Sequence, residues 1–277
     1  MGSGAYHNCD LYLLRGINLA NDHNLEGRVA IVTGASRGIG KAIALAMAQA
    51  GAAVVVAART VEEGGPLKGT IFQTVKEIEA NGGRALAVKV DVTNEGQVKA
   101  MVANTLQEMG RIDILVNNAG GTVIRPFMEL RLRHWEMVFK TVVLGTVACT
   151  KAVLPSMMEQ RYGHIINISS VASITINEPF TGLAYDVSKA GVNRLTWGLA
   201  EEIKEYNIAV NALVPRNTTS EGWIFLHPDD DKSQWQKPET WARIATFVAT
   251  RDPATFTGRI LTTEDAEQEM AKVGWTL

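Results

Sequence analysis

Short runs of β-branched and aliphatic residues alternate along the chain with longer stretches in which apolar positions recur every three or four residues. The short runs are Val29–Thr33, Ala53–Ala58, Ala85–Val90, Ile112–Val116, His164–Ile168, Ile208–Leu213 and Arg259–Leu261. Most are apolar on both faces, which is how strands covered by helices on each side of a parallel sheet read. Between them, helical spacing links Ile39, Ile43 and Met47, then Val75 and Ile78, then Val98, Val102 and Leu106. It continues from Trp135 through Met158 and from Tyr185 through Tyr206. Strand–helix alternation requires right-handed crossovers, so the pattern predicts an α/β fold: a doubly wound parallel sheet of about seven strands with helices on both faces. No internal repeat and no Pro/Ser/Gly-rich linker divides the chain. A single domain is expected over 27–265, with a substrate lid at about 216–240, an N-terminal arm over 1–26 and a tail over 266–277.

Composition narrows the class. The 277 residues carry 27 Lys and Arg against 29 Asp and Glu, a formal charge of −2 with no basic run, so nothing marks a surface for nucleic-acid phosphates. Cys9 and Cys149 are too few for a disulfide framework or a zinc site, and a reducing, cytoplasmic setting is the expectation. Residues 1–26 lack the basic start and cleavage site of a signal peptide, and no uninterrupted apolar run suggests a membrane span. His7, His23, His134, His164 and His227 show no metal-binding spacing, and Asp229-Asp-Asp231 reads as a solvated loop, so no metal is expected.

Candidate chemistry begins at Thr33-Gly-Ala-Ser-Arg-Gly-Ile-Gly40, between the first strand and its helix. Gly34, Gly38 and Gly40, with Ser36, Arg37 and Ile39 between them, allow close approach of a pyrophosphate to the helix N-terminus. The second strand ends in Ala58-Arg59, where a site for NAD would carry an acidic residue. Arg37 and Arg59 are suited to bidentate bonds with a 2′-phosphate, so NADP is expected over NAD. Asp91, followed by Val92, can bond the adenine amino group or cap the helix that follows.

Asn117-Asn-Ala-Gly120 follows the fourth strand, Ser169-Ser170 close the fifth, and Tyr185-Asp-Val-Ser-Lys189 opens a late helix. With the glycine turn, these motifs stand in the order of the short-chain dehydrogenase/reductase family, which residues 26–265 resemble. Tyr185 and Lys189 lie four apart on one helix face, where an ammonium favours the phenolate and brings a phenol toward use as an acid–base. Strand alternation turns Ser169 and Ser170 opposite ways, and Ser170 is the preferred anchor for a substrate oxygen. The resemblance implies that Lys189 also holds the nicotinamide ribose. It implies cofactor contacts by Asn118, Ala119, Gly120, Tyr185, Lys189, Pro215 and Thr218. It further implies a small-molecule alcohol, ketone or aldehyde substrate and a homodimer or homotetramer built on the two long helices.

Three departures stand out. Val142 occupies the place of the family's Asn, which helps hold a water on the proton path. Val214-Pro-Arg216 replaces the usual Pro-Gly, putting charge where glycine's freedom is expected. Glu62-Glu-Gly-Gly-Pro-Leu-Lys-Gly-Thr70 lengthens the join after the second strand. With Pro-Arg, it resembles a branch that includes hydroxysteroid dehydrogenase-like and terpenoid dehydrogenase-like proteins. Trp223, Trp235, Ile174, Ile176, Pro179 and Phe180 suggest an apolar substrate pocket. The expected function is NADP(H)-dependent hydride transfer with an alcohol/carbonyl pair. Val142 and Arg216 motivate the alternative, a nucleotide-binding regulatory protein with little turnover.

Overall fold

The β-branched runs become seven strands: β1 (Val29–Thr33), β2 (Ala53–Ala58), β3 (Ala85–Lys89), β4 (Ile114–Asn117), β5 (Gly163–Ile168), β6 (Ile208–Leu213) and β7 (Ile260–Leu261). All pair in parallel, in the order β3-β2-β1-β4-β5-β6-β7. The structure is a computed structural model that describes residues 24–175 and 182–277. Its helices are α1 (Gly38–Gln49), α2 (Ile71–Ala80), α3 (Glu95–Met109), α4 (Leu132–Phe139), α5 (Gly145–Gln160), α6 (Leu183–Glu202), α7 (Glu221–Leu226), α8 (Pro238–Ala249) and α9 (Thr263–Ala271). A π-helical stretch, Lys140–Leu144, joins α4 to α5.

Alternation across each strand sorts the apolar side chains into two layers. Ala30 and Val32, Val54 and Val56, and Ile166 and Ile168 pack with Ile43 and Met47 of α1 and Trp241, Ile244 and Phe247 of α8. Ile31, Val55 and Ile165 face the other way, onto Val98 and Met101 of α3 and Cys149, Val153 and Met157 of α5. The continuous helical run Leu132–Gln160 holds an 18-residue window of mean hydropathy 1.6, enough to cross a membrane by length and composition. Cys149, Val153 and Met157 on that run contribute their apolar surface to the sheet's own core.

Side chains start the helices where their spacing allows. Thr70 and Asn94 accept the N–H groups of Gln73 and Gln97, and Thr262 with Asp265 forms a capping box that opens α9. That helix carries Ala266 and Met270 into the core, with Trp275 beyond it, so much of the expected tail is packed. At the other end Leu25, within the expected arm, is buried and donates its N–H to the Ala50 carbonyl at 2.8 Å.

The N-terminal edge of the sheet holds a second polar group, remote from the motifs. Asp113 is fully buried and accepts bonds from Arg28, Arg111 and the Val29 N–H. Beside it, His164 of β5 is fully buried with neither ring nitrogen hydrogen-bonded. Burial, aided by the Arg28 charge, pushes its pKa from 6.5 down to about 4. The unfolded chain therefore binds a proton in this window that the folded chain refuses, and stability falls as pH falls from 6.5 toward about 4. Urea-unfolding midpoints measured between about pH 7 and pH 5 will drop in the wild type and drop less in His164→Leu; equal slopes would remove His164 as the cause.

Candidate active site

Strand order reverses between β1 and β4, so the turns leaving these two strands separate and a crevice opens between them. A cleft of about 280 Å3 lies there, at the C-terminal ends of the strands. Gly34, Ser36, Arg37, Gly38, Ile39, Arg59, Asp91, Val92, Asn118, Ala119 and Gly120 all line it. Gly40 lies against its wall, where a Cβ would stand 2.3 Å from Asn118 Nδ2 and 2.5 Å from the Gly34 carbonyl oxygen. Thr60, Leu67, Thr141, Ser220 and Gly222 also line the cleft and were not foreseen. The signal for Leu67 was the long join itself. For Ser220 it was the Ser-Glu start of a short helix, because Ser220 accepts the Trp223 N–H at 3.3 Å as the cap of α7.

These walls suit a dinucleotide. α1 starts at Gly38 with Arg37 extended before it and no side chain capping its first N–H groups, which leaves an anion-binding end at the cleft. Ala57 and Ala58 keep the β2 side of the cleft small. Asp91 is not the helix cap, which is Asn94; its Oδ1 instead accepts the Thr93 N–H and O–H at 2.9 and 2.8 Å. Burial opposes its ionisation, but the Thr93 bonds and the charges of Arg59 and Lys140 together hold the carboxyl below its ordinary value.

Arg37 corrects one expectation. Its Nε donates to the Lys68 carbonyl at 2.8 Å, and its Nη2 donates to the Gly69 carbonyl at 2.9 Å and to Thr60 Oγ1 at 3.3 Å. The Nε/Nη2 fork is thus engaged by the protein, and in this arrangement only Nη1 is left to meet an anion. Arg59 is exposed on the cleft's rim.

At the end of β5 the two serines turn opposite ways, as alternation predicts. The Ser170 hydroxyl hydrogen-bonds Tyr185, whereas Ser169 Oγ bonds Ser173 Oγ and the Lys189 carbonyl. Lys189 is buried, donates from Nζ to the Ile168 carbonyl and lies 5.3 Å from the Tyr185 ring centre. Tyr185 and Lys189 therefore share a face of α6 beside Ser170. The expected lowering of the phenol is not found in this arrangement. Burial pushes Tyr185 up to about 12 despite the bond to Ser170, and burial pushes Lys189 down to about 8. The low-dielectric surroundings are the largest influence on each group and disfavour both charged forms.

Asn193, one turn beyond Lys189, is a residue that motif reasoning missed. It is buried and donates to Ser173 Oγ at 2.8 Å, and Ser173 in turn donates to the Ser170 carbonyl at 2.5 Å. Nothing in the sequence separated it from an ordinary helix asparagine.

The departures resolve differently. Val142 is buried in the π-helical stretch and packs with Val138, Ala184 and Val192, a cluster that Tyr185 borders. Arg216 is exposed and its charge acts on Glu264; among the described residues only Arg161 and Asn207 have positive φ without being glycine, so position 216 makes no demand for glycine. Pro215 and Thr218 lie outside the cleft wall, and the Thr218 hydroxyl donates to the Arg216 carbonyl at 2.8 Å. Trp223 and Trp235 gather around His227 in the lid, with ring centres 4.1 and 6.3 Å from it. Ile174 is exposed, and Ile176, Pro179 and Phe180 lie outside the described residues.

Comparison with known proteins agrees with this geometry. Hydroxysteroid dehydrogenase-like protein 2 is 36% identical in Homo sapiens and 35% in Bos taurus, each over 252 residues and 91% of this chain. The chain spans about 60% of the length of these curated relatives. Among solved structures, a Mycobacterium marinum short-chain type dehydrogenase/reductase is 31% identical with a TM-score of 0.80, over 88% of this chain and 97% of that one. A Beutenbergia cavernae structure with bound NADP at low occupancy is 29% identical with a TM-score of 0.77, over the same shares. The model of the short chain dehydrogenase family matches residues 28–230. With the glycine turn, the crevice and the Ser–Tyr–Lys group in place, the chain belongs to the short-chain dehydrogenase family of oxidoreductases.

Proposed function

We propose that the protein is an NADP(H)-dependent oxidoreductase acting on an alcohol/carbonyl pair of a small-to-medium, mostly apolar substrate. The observation that carries this reading is the hydrogen bond between Ser170 and Tyr185 with buried Lys189 on the same helix face, at the strand ends that also form the nucleotide cleft. When bound, the nicotinamide supplies or accepts the hydride. Gly34, Gly38 and the N-terminus of α1 would hold its pyrophosphate, Asp91 its adenine, and Arg37 and Arg59 its 2′-phosphate.

Tyr185 rests as the neutral phenol, since burial holds its pKa near 12. A neutral phenol is a proton donor, so the resting site is set for carbonyl reduction: Tyr185 gives its proton to the substrate oxygen while the Ser170 hydroxyl hydrogen-bonds that same oxygen. Lys189 keeps much of its positive charge near neutrality, being shifted only to about 8, and favours the phenolate left behind. In the oxidative direction Tyr185 must first lose its proton, which costs more at the same pH.

The same reading includes a cytoplasmic setting and self-association. Exposed Leu132, Met137, Leu144, Val187 and Trp197 on α4, α6 and the stretch before α5 support the second. Buried Val142 favours the alternative of a nucleotide-binding protein with little turnover, because an apolar side chain adds no polar group to the proton path.

A panel of ketones and aldehydes assayed with NADPH and NADH separates the two readings. At least one carbonyl will consume NADPH, and Tyr185→Phe will reduce the rate by about a hundredfold or more with nucleotide binding retained. Nucleotide binding without consumption of any carbonyl above the Tyr185→Phe background would favour the regulatory reading. Val142→Asn will raise kcat and change its solvent isotope effect if the apolar side chain slows proton supply. An unchanged rate and isotope effect would show that Val142 does not limit turnover.

A further inference from the structure

The long join after β2 does more than connect. Its two ends close on each other through the Ile71 N–H and the Thr60 carbonyl at 3.1 Å. Thr70 caps α2, and the Thr74 hydroxyl donates to the Ala35 carbonyl at 3.0 Å, which ties the start of α2 to the glycine turn. Gly69 sits at φ +101° with Ser36 pressed against it: a Cβ at 69 would stand 2.5 Å from the Ser36 carbonyl oxygen. Only glycine combines that conformation with that approach. In this seat the Lys68 and Gly69 carbonyls and Thr60 Oγ1 hold the Nε/Nη2 edge of Arg37. Leu67, from the same loop, lines the nucleotide cleft.

We propose that loop 61–69 is a specificity-determining part of the nucleotide site: it splints Arg37 so that Nη1 is directed at the ribose 2′-position, and it thereby sets the preference for a 2′-phosphorylated dinucleotide. The inference rests on the NADP(H) reading above and assigns the origin of that preference. A guanidinium is planar, so holding Nε and Nη2 fixes the plane and with it the direction of Nη1. An unsupported surface arginine must be ordered when its anion binds, and that ordering weakens binding; the loop removes this cost before the nucleotide arrives. Arg59, exposed just after β2, supplies the second cation of the pair, without a loop to hold it. Gly69, Lys68 and Thr60 act through Arg37 and are positioning residues.

The test is the ratio of NADPH to NADH dissociation constants, read by intrinsic tryptophan fluorescence at fixed salt on the full chain. The wild type will prefer NADPH. Gly69→Ala will weaken NADPH binding about five- to tenfold, on the order of one charge-assisted hydrogen bond, and will change NADH binding less than about twofold. In an Arg37→Met background the same change will add nothing. Thr60→Val removes one acceptor without the backbone clash and will weaken NADPH alone by about twofold, so the idea stays testable if Gly69→Ala fails to fold. A wild type that binds both nucleotides equally would sink the NADP(H) reading and this inference together. A wild-type preference abolished by Arg37→Met but untouched by Thr60→Val, and by Gly69→Ala where it folds, would overturn the role of the loop alone.

Discussion

One hydroxyl holds the two halves of the nucleotide crevice in place. Thr33 Oγ1, at the end of β1, donates to the Val116 carbonyl and accepts the N–H groups of Asn118 and Ala119. A hydroxyl has one proton and two lone pairs, and all are used. Asn118 completes the stitch by donating from Nδ2 to the Thr33 and Gly34 carbonyls. Because that amide sits where a Cβ of residue 40 would be, the glycine turn and the Asn-Asn-Ala-Gly turn constrain each other. Neither motif has its shape without the other, and the cleft is the space they leave.

From this stitch a second chain of amides runs through the sheet to the opposite side of the site. Asn117 donates to Asn167 Oδ1 and Thr150 Oγ1, and Asn167 donates to Thr196 Oγ1. β4, β5, α5 and α6 are thereby tied by bonds in a buried layer, where an unpaired amide would be costly. Tyr185 and Lys189 ride on α6, so their placement relative to the cleft follows from these asparagines as well as from the helix's own packing. Burial that makes the placement firm also makes it electrostatically tense. The phenol is driven up and the amine down, each toward neutrality, and the only oxygen bonded to the Lys189 ammonium among the described residues is the Ile168 carbonyl.

Strand positions and their faces were readable in the sequence because a parallel strand buried on both sides needs a continuous apolar run, and Val29–Thr33, Ala53–Ala58 and Ile208–Leu213 carry such runs at the observed bounds. The wall of the cleft was readable because glycine and small residues at a strand–helix turn have a steric purpose. What was not readable depended on contacts between segments remote in sequence. The grip of Lys68 and Gly69 on Arg37 runs through backbone carbonyls, which every residue has, so no side-chain pattern announces it. Asn193 reaches Ser173 across twenty residues, and its type alone says nothing of burial. The sign of the Tyr185 shift is hidden for a related reason: helical spacing brings Lys189 near, but only the packing around the pair shows that desolvation dominates the phenol.

The structure therefore separates what binding needs from what turnover needs. Groups suited to nucleotide binding are in position: an uncapped helix end, a carboxylate held ionised, and an arginine whose plane is set by a loop. Proton transfer has a further requirement. For Lys189 to assist Tyr185, its ammonium must interact with the phenolate more strongly than with the Ile168 carbonyl, and Val142 adds no polar group that would ease the change. A negative charge forming on the Tyr185 oxygen supplies that stronger interaction, because a charge-assisted bond exceeds one to a neutral carbonyl. Under the proposed reading, the cation is then drawn toward the phenol as the proton leaves it, so the assistance grows with the charge it stabilises.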